Sequence, residues 1–216
     1  MVREDVMKLL SAVGIVLAAT WVLTPASAQE PPGWRLPDFT ATEAIESLGG
    51  RIPTSKIYHA ESKFRVEPTP GFATIYLPAV NRIYRIFSTD QPNSICISED
   101  MNKAATLRSP IQDLSGVKLE RTDAGTEVVD GHRCKVWSVT VTTSDGAVGR
   151  GRVWEAQDLD GFPIKVEWRT GQRLTAVYRE IVLAPPDPAL FEPPANCIPI
   201  EQAGEVVEEQ PPPPEH

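Results

Sequence analysis

From Ile164 the chain reads Ile-Lys-Val-Glu-Trp-Arg, apolar and polar in strict turn, and a turn-forming Asp160-Gly161 stands just ahead of it. That period of two predicts a strand with one dry and one wet side. The same pattern recurs along most of the chain. Phe64 and Val66 alternate with Lys63, Arg65 and Glu67, and Val117 and Leu119 with Lys118 and Glu120. Trp137, Val139 and Val141 share one phase of the run Arg133 to Thr143. Further strands are predicted over Lys56 to Glu61, Phe72 to Leu77, Asn81 to Ser88, Asn93 to Ser98, Ala147 to Glu155, and from Gln172-Arg173 through Leu183. Pro68-Thr69-Pro70-Gly71, Asp130-Gly131, Ser144-Asp145-Gly146 and Thr170-Gly171 separate them as turns. Glu99 to Pro110 alternates weakly and is read as a loop or short helix.

One helix interrupts this reading. Thr40 stands as a cap with Glu43 three residues on, and Gly49-Gly50 close the segment Ala41 to Leu48, which predicts two helical turns with a capping box. About nine or ten strands follow, joined by connections too short for parallel crossovers. The fold class is therefore mainly β (α+β), with a single curved antiparallel sheet and a short N-terminal helix. Such a sheet must close, stack on a second sheet or take a helix across its mouth to cover the dry side.

The ends set the boundaries. Arg3 and Lys8 lead into an apolar run from Leu9 to Leu23 and the small-residue exit Ala26-Ser27-Ala28, so residues 1–28 are expected to be a secretory signal peptide. Position 29 is Gln, which offers no thiol for a lipid anchor. Residues 29–39 are a proline-rich lead-in, 40–200 the domain, and 201–216 an acidic, proline-ended tail that composition makes an extended, disordered segment. The expected location is periplasmic or secreted.

Charge narrows the partners. The net −8 is unchanged by signal removal, since Arg3 and Lys8 balance Glu4 and Asp5, and the tail carries Glu201, Glu205, Glu208, Glu209 and Glu215 with no Lys or Arg. No basic stripe suits nucleic acid. Cys96, Cys134 and Cys197 lack close C-x-x-C spacing, so one structural disulfide, in any of three pairings, is expected rather than metal or redox chemistry.

Catalytic patterns are sparse. His59, His132 and His216 form no paired ligand spacing, there is no G-x-S-x-G elbow or phosphate loop, and Asp158 and Asp160 beside Gly161 read as turn residues. The protein is read as a non-enzyme that needs no cofactor and no metal. Trp137 and Trp168 fall on the apolar phase and Trp154 on the phase opposite Val153. Large rings in those positions fill a core more often than they line a cavity.

The runs VVDGHRCKVWSVTV, GRVWEAQDLDGFPIKVEW and VYREIVLAPPDPALFEPP resemble the lipoprotein carrier-like (LolA/LolB-like) superfamily and its uncharacterised secreted members. The matching positions are Asp130-Gly131, Val153-Trp154, Gly161 to Glu167, and Asp187 to Pro194. KFRVE, Lys63 to Glu67, looks like the basic and aromatic strand of the carriers. The resemblance spans roughly residues 40 to 195. It implies an unclosed antiparallel half-barrel whose concave apolar face is plugged by helices, here by the short N-terminal one. The function expected is binding of a lipid, acyl chain or other apolar ligand on that face, by Phe64, Val66, Trp137, Val139, Ile164, Val166 and Trp168. The partner is an apolar small molecule or a lipidated protein, with an envelope protein as a further possibility. The alternative is an envelope structural or protein-interaction domain with a self-filled core. The three cysteines, the acidic tail and the single helix depart from the carrier pattern.

Overall fold

A computed structural model describes residues 36–47, 50–89, 94–104, 109–112, 118–142, 146–169 and 173–203. The expected signal peptide, most of the lead-in and nearly all of the tail lie outside these. Twelve strands form one sheet: β1 (Phe39–Ser47), β2 (Gly50–Ala60), β3 (Lys63–Glu67), β4 (Phe72–Leu77), β5 (Arg82–Phe87), β6 (Ile95–Asp100), β7 (Lys118–Val129), β8 (His132–Thr142), β9 (Val148–Ala156), β10 (Phe162–Trp168), β11 (Leu174–Val182) and β12 (Ile198–Pro199). Their order is β12-β6-β5-β4-β3-β2-β1-β11-β10-β9-β8-β7. Two meanders, β1 to β6 and β7 to β11, are thus joined through β1 and β11, and the sheet stays open between β12 and β7. Every pairing is antiparallel except β12 on β6, which is parallel.

The turns follow the residues that make them. Asp130 and Gly131 both have positive φ, 49° and 87°. Two such residues between β7 and β8 match the right-handed twist of the strands they connect. In β10 the register slips between Pro163 and Lys165. A proline has no N–H for the ladder, and a bulge is where an interior strand tolerates it.

Of the segment Ala41 to Leu48, expected to be helical, residues Ala41 to Ser47 instead make up most of β1, and Leu48 lies outside the described residues. Its residues Phe39, Ala41, Glu43 and Ala44 are buried, and both its edges are hydrogen-bonded, to β2 and to β11. A capping box is a weak local preference, and two ladders outweigh it. Among the described residues the only α-helix is α1 (Ile200–Ala203), beside short 3₁₀ turns such as Pro188–Phe191.

The sheet curls until residues far apart in its order meet. Phe39, Ile57, Phe64, Tyr76 and Ile83 from the first meander share one core with Leu119, Val139, Val153, Ile164, Val166 and Tyr178 from the second. This is the inner side. Behind β4 to β6, Ala73, Ile75, Ile86 and Cys96 form a separate cluster on the outer side. It is covered by the chain that follows β11. Arg65 Nη1 donates to the Leu190 carbonyl at 2.9 Å, Phe191 is buried, and Asn196 Nδ2 donates to the Ser94 carbonyl at 3.0 Å. A Cys96–Cys197 disulfide fastens this strap to β6 and leaves Cys134 as a buried free thiol.

Candidate binding site

The expected ligand-binding residues lie together, and most are interior. Phe64, Val139, Ile164 and Val166 are at most 3% exposed within the main core, while Val66, Trp137 and Trp168 are half-buried against it. Trp137 is also held by polar groups: its Nε1 donates to Glu155 Oε2 at 2.6 Å, and Arg121 binds the same carboxylate at 2.9 Å. Trp154, on the phase opposite Val153, is the most buried of the three. Lys165 Nζ sits 4.2 Å from its ring centre and its Nε1 donates to Glu127. Both phases of β8 and β9 are therefore covered over part of their length.

Aromatic rings fill the centre of the inner side. Phe64 lies tilted against the His59 ring at 4.5 Å, and that ring lies 5.5 Å from Phe39; Phe39 in turn meets Phe162 edge-on at 4.8 Å. His59 is 3% exposed and its Nδ1–H donates to the Pro37 carbonyl at 2.7 Å. Burial pushes its pKa below the usual imidazole value.

Beside the rings is a polar cluster that sequence reading missed. Glu43 Oε1 accepts from Tyr178 Oη at 2.8 Å and from Ser109 Oγ at 2.6 Å. All three are buried, and burial followed by the Glu43 charge raises the Tyr178 hydroxyl well above its ordinary pKa. Ser109 brings with it Pro110, Ile111 and Gln112, all buried, and Ile111 belongs to the main core. This short stretch enters the hollow that the N-terminal helix was expected to plug.

The inner side opens toward one end of β4, β5 and β6. Cross-strand rows run from buried Tyr76–Ile83 through Thr74–Arg85–Ile97 to Phe72–Phe87–Ile95. Arg85 is ion-paired with Glu99. In the last row Phe72 and Phe87 touch edge-on at 5.5 Å, yet Phe72 is 45% and Ile95 60% exposed. Three aligned apolar side chains in contact with water are unusual on the inside of a curled sheet. A groove of about 670 Å³, lined by Lys56, Pro68, Pro70, Gly71, Phe72 and Thr89 among others, adjoins the row. Its size suits a small apolar ligand. Periodicity offers no cue to it, because Phe72, Thr74 and Tyr76 compete with an equally apolar phase, Ala73, Ile75 and Leu77.

A second cleft, of about 370 Å³, gathers Asp130, His132, Tyr178, Arg179 and Glu180. Its charges are mutually engaged: Arg179 Nε donates to Asp130 at 2.6 Å and His132 Nδ1 lies 2.7 Å from Asp158. Among the described residues no cluster of His, Cys, Asp and Glu fits a metal ion, and no helix is long and apolar enough to cross a membrane.

No family model and no curated protein matches the chain. Among solved structures it is similar to PNGF-II, with a TM-score of 0.39 and 10% identity over 81% of this chain and 34% of that one. The chain thus spans about a third of that protein's length. It is also similar to an uncharacterized conserved protein from Thermus thermophilus, with a TM-score of 0.47 and 12% identity over 76% of this chain and 90% of that one. A LolA superfamily protein from Nitrosomonas europaea is similar with a TM-score of 0.39 and 11% identity, over 74% of this chain and 91% of that one.

Proposed function

We propose that the protein is a non-catalytic, extracytoplasmic binding protein, periplasmic or secreted, that holds an apolar group, a lipid acyl chain foremost, on the row Phe72–Phe87–Ile95. That exposed row is the observation that carries the reading. It is apolar, aligned across three strands and continuous with the inner side, whereas the centre of that side is filled by the protein's own rings. The ligand therefore sits at the rim of the curl and not among Phe64, Val139, Ile164 and Val166. Each methylene moved from water onto the row contributes about 0.8 kcal/mol, so a partial chain suffices for useful affinity. The same row suits the acyl group of a lipidated protein. The Cys96–Cys197 disulfide fits an oxidising compartment.

Titrating a fluorescent fatty acid into the purified protein, with mass spectrometry of co-purified lipid, tests the reading. Phe72→Ser with Ile95→Ser should weaken binding at least about tenfold. If the unaltered protein binds no probe and carries no lipid, the alternative stands. That is an envelope interaction domain with a self-filled core, which the burial of Phe64, Val139, Ile164 and Val166 favours.

A further inference from the structure

On the outer side of β7 to β10, in a chain of net charge −8, lies a local excess of positive charge. Arg150 and Arg152 stand two apart on β9, so both side chains leave the same side of the sheet. Gly149, Gly151 and Val153 occupy the other side, where the Trp168 ring lies close over Gly151. Register sets hydroxyls beside the arginines: Glu120, Thr140 and Arg150 form one cross-strand row, and Thr122, Ser138, Arg152 and Glu167 the next. Arg169 is pinned next to them, because its backbone N–H donates to the Arg150 carbonyl at 2.9 Å just past the end of β10.

Most of these residues border one open cleft of about 560 Å³, lined by Glu120, Ser138, Thr140, Arg150, Arg152 and Arg169 among others. Glu167 accepts from Arg169 Nε at 2.9 Å and from Arg173 Nη2 at 3.3 Å. Burial alone would raise its pKa, but the two arginines outweigh that and hold it low. It stays ionised and holds the guanidinium of Arg169, which lines the cleft. Among the described residues three arginines, Arg150, Arg152 and Arg169, thus line the cleft with one carboxylate, Glu120, which is shared with Lys118 at 3.6 Å.

We propose that this cleft binds a phosphate-type oxyanion, carried by a diffusible phosphoester or by a lipid headgroup. Guanidinium forks match the paired oxygens of a phosphate, and the hydroxyls of the neighbouring strands supply further donors to the same group. The proposal stands on the outer side of the sheet and does not depend on the apolar row.

The test uses the purified mature protein with two probes: glycerol 3-phosphate in solution, followed by calorimetry, and phosphatidylcholine vesicles with and without phosphatidylglycerol, followed by co-sedimentation. Binding of the first assigns a diffusible ligand. Binding only to the phosphatidylglycerol vesicles assigns a headgroup. Either should fall at least about tenfold in R150Q/R152Q and weaken with salt, as charge-assisted contacts require. A control pair, R82Q/R133Q, removes two exposed positive charges elsewhere and should leave binding unchanged. Thermal midpoints establish that the variants fold, and the single exposed change R169Q gives a smaller loss should the double variant unfold. Binding of neither probe, or an equal loss in the control pair, overturns the proposal.

Discussion

Glu43 shows how far a residue's partners lie from where sequence looks for them. Three residues after Thr40 it has the spacing of a capping box, but its hydrogen bonds go to Ser109 and Tyr178, 66 and 135 positions away. Two hydroxyl donors on one carboxylate oxygen lower the cost of burying that charge. No local pattern announces such a partnership. His59 is similar, set in sequence beside Tyr58 and in space between Phe39 and Phe64. Its folded pKa lies below the ordinary 6.5 because burial disfavours the cation. Above 6.5 the imidazole is neutral in both folded and unfolded chains and stability is unaffected. As pH falls below 6.5 the unfolded chain takes up a proton that the folded one resists, so stability drops, at up to about 1.4 kcal/mol per pH unit. In His59→Asn the amide keeps a donor toward Pro37 without titrating, and the loss of stability between about pH 6.5 and 5 should be shallower than in the unaltered protein. Urea midpoints across that range measure it, and equal slopes for the two proteins would remove His59 from the account.

At the scale of elements, β9 owes its fit to two glycines. A Cβ on Gly151 would meet the Glu167 carbonyl oxygen at 2.3 Å and Trp168 Cε3 at 2.7 Å, whereas one on Gly149 would meet Val141 Cγ2 at 2.8 Å. Backbone of a paired strand cannot yield, but a valine methyl can. Gly151→Ala should therefore cost several kcal/mol, about 3 or more, and Trp168→Ala should not rescue it; Gly149→Ala should cost about 1 to 2 and be largely relieved by Val141→Ala. Thermal midpoints of these variants, single and combined, decide this, and equal costs at the two glycines would contradict it. The strands themselves were legible wherever alternation was clean. Phe72 to Leu77 has the bounds expected of it, and the strands expected from Asn81, Arg133, Ala147 and Gln172 match β5, β8, β9 and β11 to within a residue or two at each end. Alternation failed at β1, where a helical cap signal lies over a strand, and at β12, whose two residues are placed by a disulfide and not by periodicity. Of the expected site, sequence found the dry phase but not its filling. The rings that fill it, Phe39, His59 and Phe162, come from three separate strands, and the exposed row came from a strand apolar on both phases.

For the whole molecule the decisive feature is that an open sheet has two ends. An unpaired strand edge invites pairing with another chain. The β7 end is guarded by its own sequence: Lys118, Glu120, Asp123 and Glu127 are exposed along it, and the register breaks between Asp123 and Thr126. At the other end β6 carries its acids, Glu99 and Asp100, only at its close, where both are half-buried. On β6, Ile95 is 60% exposed, and the edge is covered by β12, whose Ile198 and Pro199 pair with Ile97 and Ser98. Two paired residues hold weakly by themselves, and the Cys96–Cys197 bond, with the Asn196–Ser94 hydrogen bond beside it, fastens them there. It also closes a loop of 101 residues, which in the chain-entropy account destabilises the unfolded state by about 4 to 5 kcal/mol. Cys134 is no threat to the bond, since burial both shields its thiol and raises its pKa, leaving little thiolate to attack. Cys96→Ser with Cys197→Ser should therefore lower stability by several kcal/mol and, by freeing β6, produce concentration-dependent association that the oxidised protein lacks. Denaturant midpoints report the first effect and light scattering after gel filtration the second. If the variant loses stability but shows no association at any concentration, the strap stabilises the fold without protecting the edge.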